Sequence, residues 1–80
     1  MWLAPGLVAI REFVSANGLH RLAIFKRPDG LFGYCGQRLT TEDGDTFWEP
    51  AEGSGIYETE RAAERAALID ITWFREENSN

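Results

Sequence analysis

Three short runs rich in apolar residues lie along the first half of the chain, and the first two runs end at turn-forming residues. The runs LVAIREFVSA, LHRLAIFKR and LFGYCGQRL are separated by Asn17-Gly18 and Pro28-Asp29-Gly30. β-Branched and aromatic residues favour strands, and Asn-Gly supplies the two positive-φ positions of a type I′ hairpin turn. The pattern predicts three antiparallel strands over about 7–16, 19–27 and 31–39.

The first run also fits a helix. Leu7, Ile10 and Val14 would then share one side, and Asn17-Gly18 would end the helix. Residues 7–16 are therefore a strand or a helix, with the β-branched residues favouring the strand.

The second half of the chain begins with an acidic, turn-rich segment. Thr46-Phe47-Trp48 then predicts a short fourth strand over about 46–49 that ends before Pro50. The following AEGSG predicts a loop. At the other end of this half, residues 76–80 are polar and are expected to form a mobile tail.

The stretch YETERAAERAALIDITWF predicts a helix over about 59–74, with Thr59 as its N-cap. The small alanine side chains would allow this helix to lie close to a sheet. Asp70 lies within the apolar arc, so either it pairs with a basic side chain of the sheet or the helix ends near it. The expected apolar seam consists of Ala62, Ala66, Ile69 and Trp73.

These elements predict an α+β fold: an antiparallel three- to four-stranded β-meander packed by one C-terminal α-helix, in a single domain over residues 1–80. A chain of 80 residues is near the size at which one hydrophobic core is barely sufficient. A partner subunit often supplies the missing burial in such domains.

The hairpin with Asp29-Gly30, the acidic loop and the stretch SGIYETERAAERAA leading to Trp73 resemble a set of small, mostly uncharacterised bacterial proteins. The resemblance covers residues 7–74, and its most specific part is Ser54-Gly55-Ile56-Tyr57 with the alanine-rich helix. It implies an antiparallel sheet covered by one helix, with association in pairs for some relatives. It implies no catalytic residue.

If both turns contain two residues, the strand register follows and assigns each side chain to a sheet face. The face with Leu22 and Ile24 is the better fit for the helix because it has more small residues, and the choice between the two faces stays open. The other face is then a contact surface for a second copy or another protein, or part of the core. Its candidate interaction residues are Arg21, Phe25, Arg27, Phe32, Tyr34 and Arg38.

Charge is distributed unevenly along the chain. The net charge is +3 over residues 1–38 and −8 over residues 39–80. An overall charge of −5 disfavours nucleic acid as a partner. The acidic segment is either a solubilising loop or an acidic edge that docks on a basic protein, a class that includes nucleic-acid-binding proteins. The acidic edge would consist of Glu42, Asp43, Asp45, Glu49 and Glu52.

No catalytic, cofactor or metal site is expected. His20 and Cys35 are the residues available for a nucleophilic dyad, but the predicted register separates them by about 13 Å. Zinc needs three or four His or Cys ligands, and the chain has one of each. A single cysteine and a longest apolar run of ten residues predict a cytoplasmic protein outside the membrane. The sequence thus predicts a non-enzymatic binding or oligomerisation module.

Overall fold

Four antiparallel strands followed by two helices make up the fold, which a computed structural model describes for residues 3–78. The strands lie side by side in the order β1-β2-β3-β4, so each strand pairs with its neighbour in sequence. The predicted α+β meander is confirmed, with four strands in the sheet. The elements are β1 (Val8–Val14), β2 (His20–Lys26), β3 (Phe32–Glu42), β4 (Asp45–Tyr57), α1 (Glu60–Asp70) and α2 (Thr72–Glu77).

The first run of the sequence forms strand β1, so the helical alternative for residues 7–16 is wrong. β1 pairs with β2 in the predicted register, with Phe13 opposite Leu22 and Val14 opposite Arg21. The register shifts by one residue at Ile10, where β1 bulges.

The turn between β1 and β2 is not the predicted type I′ turn, because Gly18 has a positive φ of 74° but Asn17 does not. The Ser15 N–H donates to the His20 carbonyl oxygen at 2.9 Å and closes a longer loop. The Asn17 carboxamide oxygen accepts from the Leu19 N–H at 2.9 Å and holds this loop. The loop adds one residue to each side of the predicted turn, so the register of the strands is unchanged.

The connection between β2 and β3 is one residue longer than predicted. It is a loop over Pro28–Gly30, in which Gly30 has a φ of 89°. Ile24 consequently lies opposite Tyr34, whereas the sequence predicted Cys35 there. Because side chains alternate along a strand, this shift places every β3 side chain on the face opposite to the predicted one.

The type I′ turn of this protein joins β3 to β4, where Asp43 and Gly44 have φ values of 52° and 85°. Glu42 and Asp45 pair on either side of this turn. β4 then runs for 13 residues, so the predicted strand at 46–49 forms, but its predicted end before Pro50 and the predicted AEGSG loop are wrong. Pro50 does not end β4 because β4 is an edge strand, and an edge strand tolerates a missing N–H on its outer side.

The C-terminal helical region is divided at Ile71, so the prediction of one continuous helix over 59–74 is wrong. Thr59 caps α1 as predicted: its hydroxyl accepts from the Ala62 N–H at 3.0 Å. Ile71 is extended, with φ −109° and ψ 106°, and redirects the chain into α2.

The end of the described chain belongs largely to α2. Glu76 and Glu77 of the predicted tail lie in this helix, and Asn78 caps it. Residues 79–80 of the predicted tail lie outside the described residues. Neither helix in the described part of the chain is long and apolar enough to span a membrane.

The core lies between the two helices and one face of the sheet, which we call the helix-covered face. Ala63 and Ala67 are fully buried against it, whereas Ile69 is 70% exposed, so the expected alanine seam is displaced by one residue along α1. The Phe74 ring lies 4.7 Å from the Phe13 ring and fixes α2 on the sheet. The buried cluster contains Leu22, Ile24, Tyr34, Ala63, Ala67, Ile71 and Phe74.

Candidate functional site

The six residues predicted to form one interaction surface are divided between the two sides of the sheet. Arg21, Phe25 and Arg27 lie on the side away from the helices, which we call the helix-free face. Phe32, Tyr34 and Arg38 lie on the helix-covered side, because β3 is paired one residue out of the predicted register. The predicted location of Phe32, Tyr34 and Arg38 beside Phe25 is therefore wrong.

Tyr34 is part of the core rather than of a contact surface. It is 3% exposed beneath the helices and stacks on Tyr57, with ring centroids 6.2 Å apart. Its hydroxyl donates to an Asp70 carboxylate oxygen. Burial raises the pKa of Tyr34 well above its usual value, and the Asp70 carboxylate raises it further. The Asp70 carboxylate thus accepts a hydrogen bond from Tyr34 of the sheet and not from a basic side chain. Asp70 is also the last residue of α1, as the second predicted alternative, a helix end near Asp70, required.

Phe25 is on the helix-free face but is only 6% exposed. Its ring lies across Gly33 and Gly55, where a Cβ would come within 2.5 Å and 3.3 Å of the ring carbon Cζ. Because these two glycines have no side chains, the Phe25 ring packs directly on the backbone and is buried without a covering helix.

Two of the predicted surface arginines form ion pairs within the chain. Arg27 contacts Asp29 at 2.8 Å and donates to the Gly55 carbonyl oxygen at 2.5 Å, which links β2 to the far end of β4. Arg38 reaches Glu49 on β4 through two nitrogens, at 2.6 Å and 2.7 Å. These arginines thus hold the acidic strand β4 to the rest of the sheet.

The helix-free face does combine arginine with an aromatic ring, but the ring is that of Trp48. The Arg21 guanidinium lies 4.2 Å from the Trp48 ring centroid, within the range of a cation–π contact. The Arg21 Nε also donates to the Gln37 carboxamide oxygen at 2.7 Å. Burial lowers the pKa of Arg21, and the nearby Glu12 carboxylate opposes this effect.

Trp48 was not predicted on this face, although the turn sequence Asp43-Gly44 indicates it. Asp43-Gly44 is a strong type I′ turn sequence, and pairing outward from it places Trp48 opposite Leu39. Leu39 has the same orientation as Gln37 and Arg21, so Trp48 follows on the helix-free face. The site that the structure assembles on this face is Arg21, Gln37, Leu39 and Trp48, with Val14 beside it on β1.

The five residues of the predicted acidic edge also separate. Glu42, Asp43 and Asp45 are exposed at the end of the β3–β4 hairpin. Glu49 is paired with Arg38, as described above, while the Glu52 carboxylate lies over Gly36, 2.6 Å from the position that a Cβ would take there. The freely displayed charge is consequently at the hairpin tip.

The candidate dyad residues lie on opposite sides of the sheet. His20 stacks on Trp73 of α2, with ring centroids 5.8 Å apart. Cys35 lies on the helix-free face opposite Ala23, and burial raises the pKa of its thiol. Within residues 3–78 we find neither a pocket nor a group of three or more potential metal ligands.

Comparison with known proteins adds no further assignment. The chain matches no protein-family model, no curated protein and no solved structure. The resemblance of the sequence to small bacterial sheet-and-helix proteins therefore stays a prediction, and the interpretation of the surface depends on the residues described here.

Proposed function

We propose that this protein is a non-enzymatic cytoplasmic binding and oligomerisation module that packs its helix-free face against another protein chain, in the first instance a second copy of itself. The observation that carries the proposal is the one-sided arrangement of the fold. The helices pack on one face of the sheet, while the Arg21–Trp48 pair lies on the other.

The thickness of the molecule supports this proposal. The Cα atoms extend over 40 × 35 × 15 Å, which corresponds to one sheet with one layer of helices. An antiparallel sheet covered by helices on one face commonly leaves its other face accessible, so that face is available to a further layer. A second copy is the simplest source of that layer, since closed pairs are the commonest oligomers.

The side chains of the helix-free face suit a protein partner. Trp and Arg are enriched among the residues that dominate protein–protein binding energies, and here they form a single unit. Leu39 is half-buried beside Trp48, and Val14 is 64% exposed. The net charge of −5 and the pairing of Arg27 and Arg38 with carboxylates argue against a nucleic-acid ligand.

Light scattering on the purified protein at low and high salt tests this proposal. We expect an oligomer that persists at high salt, because packing of an apolar face is screened little by ions. Trp48→Ala should reduce the molar mass at a given concentration. The matched control is Ile69→Ala, which removes a 70% exposed side chain from the outer side of α1 and should leave the mass unchanged. A monomeric wild-type protein, or a Trp48→Ala mass equal to that of the wild type, would refute self-association through this face.

A second candidate function is supported by the β3–β4 hairpin. β2 begins at His20, which pairs with Arg38 of β3. From that pair the β3–β4 hairpin extends beyond β2 and carries acidic side chains to its tip. A rigid turn that displays three carboxylates could dock on a basic protein. The acidic residues concerned are Glu42, Asp43 and Asp45.

Binding to a lysine-rich peptide tests this candidate. The triple variant Glu42→Gln, Asp43→Asn, Asp45→Asn should lose binding that the wild type shows at low salt. The control is Glu58→Gln with Glu60→Gln, which removes acidic charge near the start of α1, away from the tip. Equal binding by the triple variant and the control would exclude the tip as the binding element.

A further inference from the structure

The two edges of the sheet are protected to different extents. The β4 edge contains Pro50 and the acidic Glu49 and Glu52, and it is interrupted by two register shifts. Charge and bulges discourage the addition of another strand, and a proline removes an outward N–H altogether. Exposed apolar side chains lie on both edges, with Val8 and Val14 58% and 64% exposed on β1 and Phe47 and Ile56 39% and 74% exposed on β4. The β1 edge has charges at Arg11 and Glu12 and one bulge, but the described strand contains no proline, so Pro50 is what distinguishes the two edges.

The backbone of β1 can be oriented from its hydrogen bonds. The Ser15 N–H donates across to His20 of β2. In an antiparallel pair the next residue on either side points its backbone groups away from the partner strand, so Val14 and Ala16 point outward from the sheet. The Ala16 N–H confirms this direction, since it donates to both carboxylate oxygens of Glu77 in α2 at 3.1 Å.

The regular part of the β1 edge is consequently short and bounded on both sides. The bulge at Ile10 interrupts it at one end, and the Glu77 carboxylate occupies the outward N–H of Ala16 at the other. Between them, Val14 offers outward backbone groups next to an exposed apolar side chain. Such an edge has room for one short strand.

We propose that this strand is β1 of a second copy, which pairs antiparallel about a two-fold axis at Phe13 and joins two four-stranded sheets into one. A second copy fits this edge because residues 12 and 14, whose backbone groups both point outward, are placed symmetrically about Phe13. An axis at Arg11 or at Glu12 would place that residue opposite its own copy, with like charges in contact. An axis at Val14 would place residue 12 of the partner opposite Ala16, whose outward N–H is already taken by Glu77. An axis at Phe13 places Val14 opposite residue 12 of the partner and brings no like charges directly opposite each other.

This edge contact goes beyond the proposed function because it uses a different surface of the sheet. It rests on the proposed function only for the tendency of the protein to self-associate. An edge contact has its two-fold axis normal to the sheet, whereas a contact between helix-free faces has its axis within the plane of the sheet. Two perpendicular two-fold contacts generate a closed tetramer when their axes intersect. We take the intersecting arrangement, so the protein should form a tetramer in which each contact can be removed separately.

Light scattering over a concentration series distinguishes the two contacts. Val14→Pro removes the outward N–H but leaves the pairing with β2 possible, so we expect a dimer. Because Val14 also borders the helix-free face, Val14→Ala is the control: it removes most of the same side chain but retains the N–H, so a fall in mass seen in Val14→Pro and not in Val14→Ala is assigned to the edge. Trp48→Ala should give the edge-paired dimer, and Val14→Pro with Trp48→Ala should give a monomer.

Other results would separate the edge contact from the contact between helix-free faces. A wild-type dimer that is dissociated by Val14→Pro but not by Trp48→Ala supports the edge contact and removes the face contact. A wild-type dimer that is dissociated by Trp48→Ala alone overturns the edge contact, and a wild-type monomer overturns both.

Hydrogen exchange in the wild-type protein covers the case in which Val14→Pro does not fold. The Val14 amide should exchange more slowly as the protein concentration rises, because pairing with the second copy covers it. Fast exchange at concentrations where the protein is associated would overturn the proposal.

Discussion

Replacing Gly33 by alanine should strongly destabilise the protein, because β4 and Phe25 occupy the space that a side chain would need. A Cβ at residue 33 would lie 2.4 Å from the Ser54 carbonyl oxygen and 2.5 Å from both the Gly55 Cα and the Phe25 Cζ. Two of these three atoms belong to the backbone of β4, so the strand itself would have to move.

The expected loss can be estimated from the cost of overpacking. Inserting a group into a packed site costs about 1–3 kcal/mol, and backbone contacts as close as these favour the upper end. A chain of 80 residues has a total stability of about 4–12 kcal/mol. At a urea dependence of about 1 kcal/mol per molar, a loss of about 3 kcal/mol lowers the unfolding midpoint by about 3 M.

Urea denaturation followed by far-UV circular dichroism measures this loss. Gly53→Ala is the matched control, because the nearest atom to its Cβ would be the Tyr34 carbonyl oxygen at 3.4 Å, an ordinary contact. This control should be neutral or slightly more stable, by about 0.4–1 kcal/mol, through a less flexible unfolded chain. Adding Phe25→Leu to Gly33→Ala should recover only part of the loss, since the β4 backbone contacts remain. A Gly33→Ala midpoint equal to that of Gly53→Ala would refute the close approach of β3 and β4 at this residue.

Three further predictions concern the core and the helix cap. Tyr34→Phe should abolish an alkaline loss of stability: the raised pKa means that folding favours the neutral phenol, so the wild-type unfolding free energy should fall above about pH 10 and that of the variant should not do so to the same extent. An equal decline in both proteins would contradict this. Phe74→Ala, at a 1% exposed side chain, should cost about 3–5 kcal/mol by thermal or urea denaturation, and a loss below about 1 kcal/mol would be inconsistent with the packing of α2. Thr59→Ala should cost about 1 kcal/mol, and Thr59→Ser should restore most of it through the same cap.

The sequence predicted the fold class and the pairing of β1 with β2 because strand-forming runs on either side of Asn17-Gly18 indicate a hairpin and define its register. That register keeps Phe13 opposite Leu22 as long as the loop gains the same number of residues on each side of the turn. The actual loop satisfies that condition, so the incorrect turn type did not change the result. The Ala-rich helix and its cap at Thr59 are likewise local features that a sequence pattern can identify.

The candidate surface could not be predicted to the same extent, because the face on which each β3 side chain lies depends on whether the loop between β2 and β3 has two residues or three. Asp29-Gly30 fits both a two-residue turn and the last two positions of a three-residue loop, and sequence alone does not distinguish them. The choice decides whether Tyr34 or Cys35 enters the core. Trp48 was missed for a different reason: it lies within the predicted fourth strand, but its face follows only when the register is counted outward from the turn at Asp43-Gly44.

The contact of α2 with β1 has a consequence for the order of folding during synthesis. The four strands form a meander in which each hairpin uses residues close in sequence, and such local contacts form quickly. The core is completed only when Phe74 reaches Phe13 and Glu77 reaches Ala16, across more than half of the chain. The apolar side chains of the helix-covered face are therefore not fully buried until both helices have been made, because one cluster contains Ala63 and Ala67 of α1 and Phe74 of α2. Apolar surface that stays open during synthesis favours aggregation.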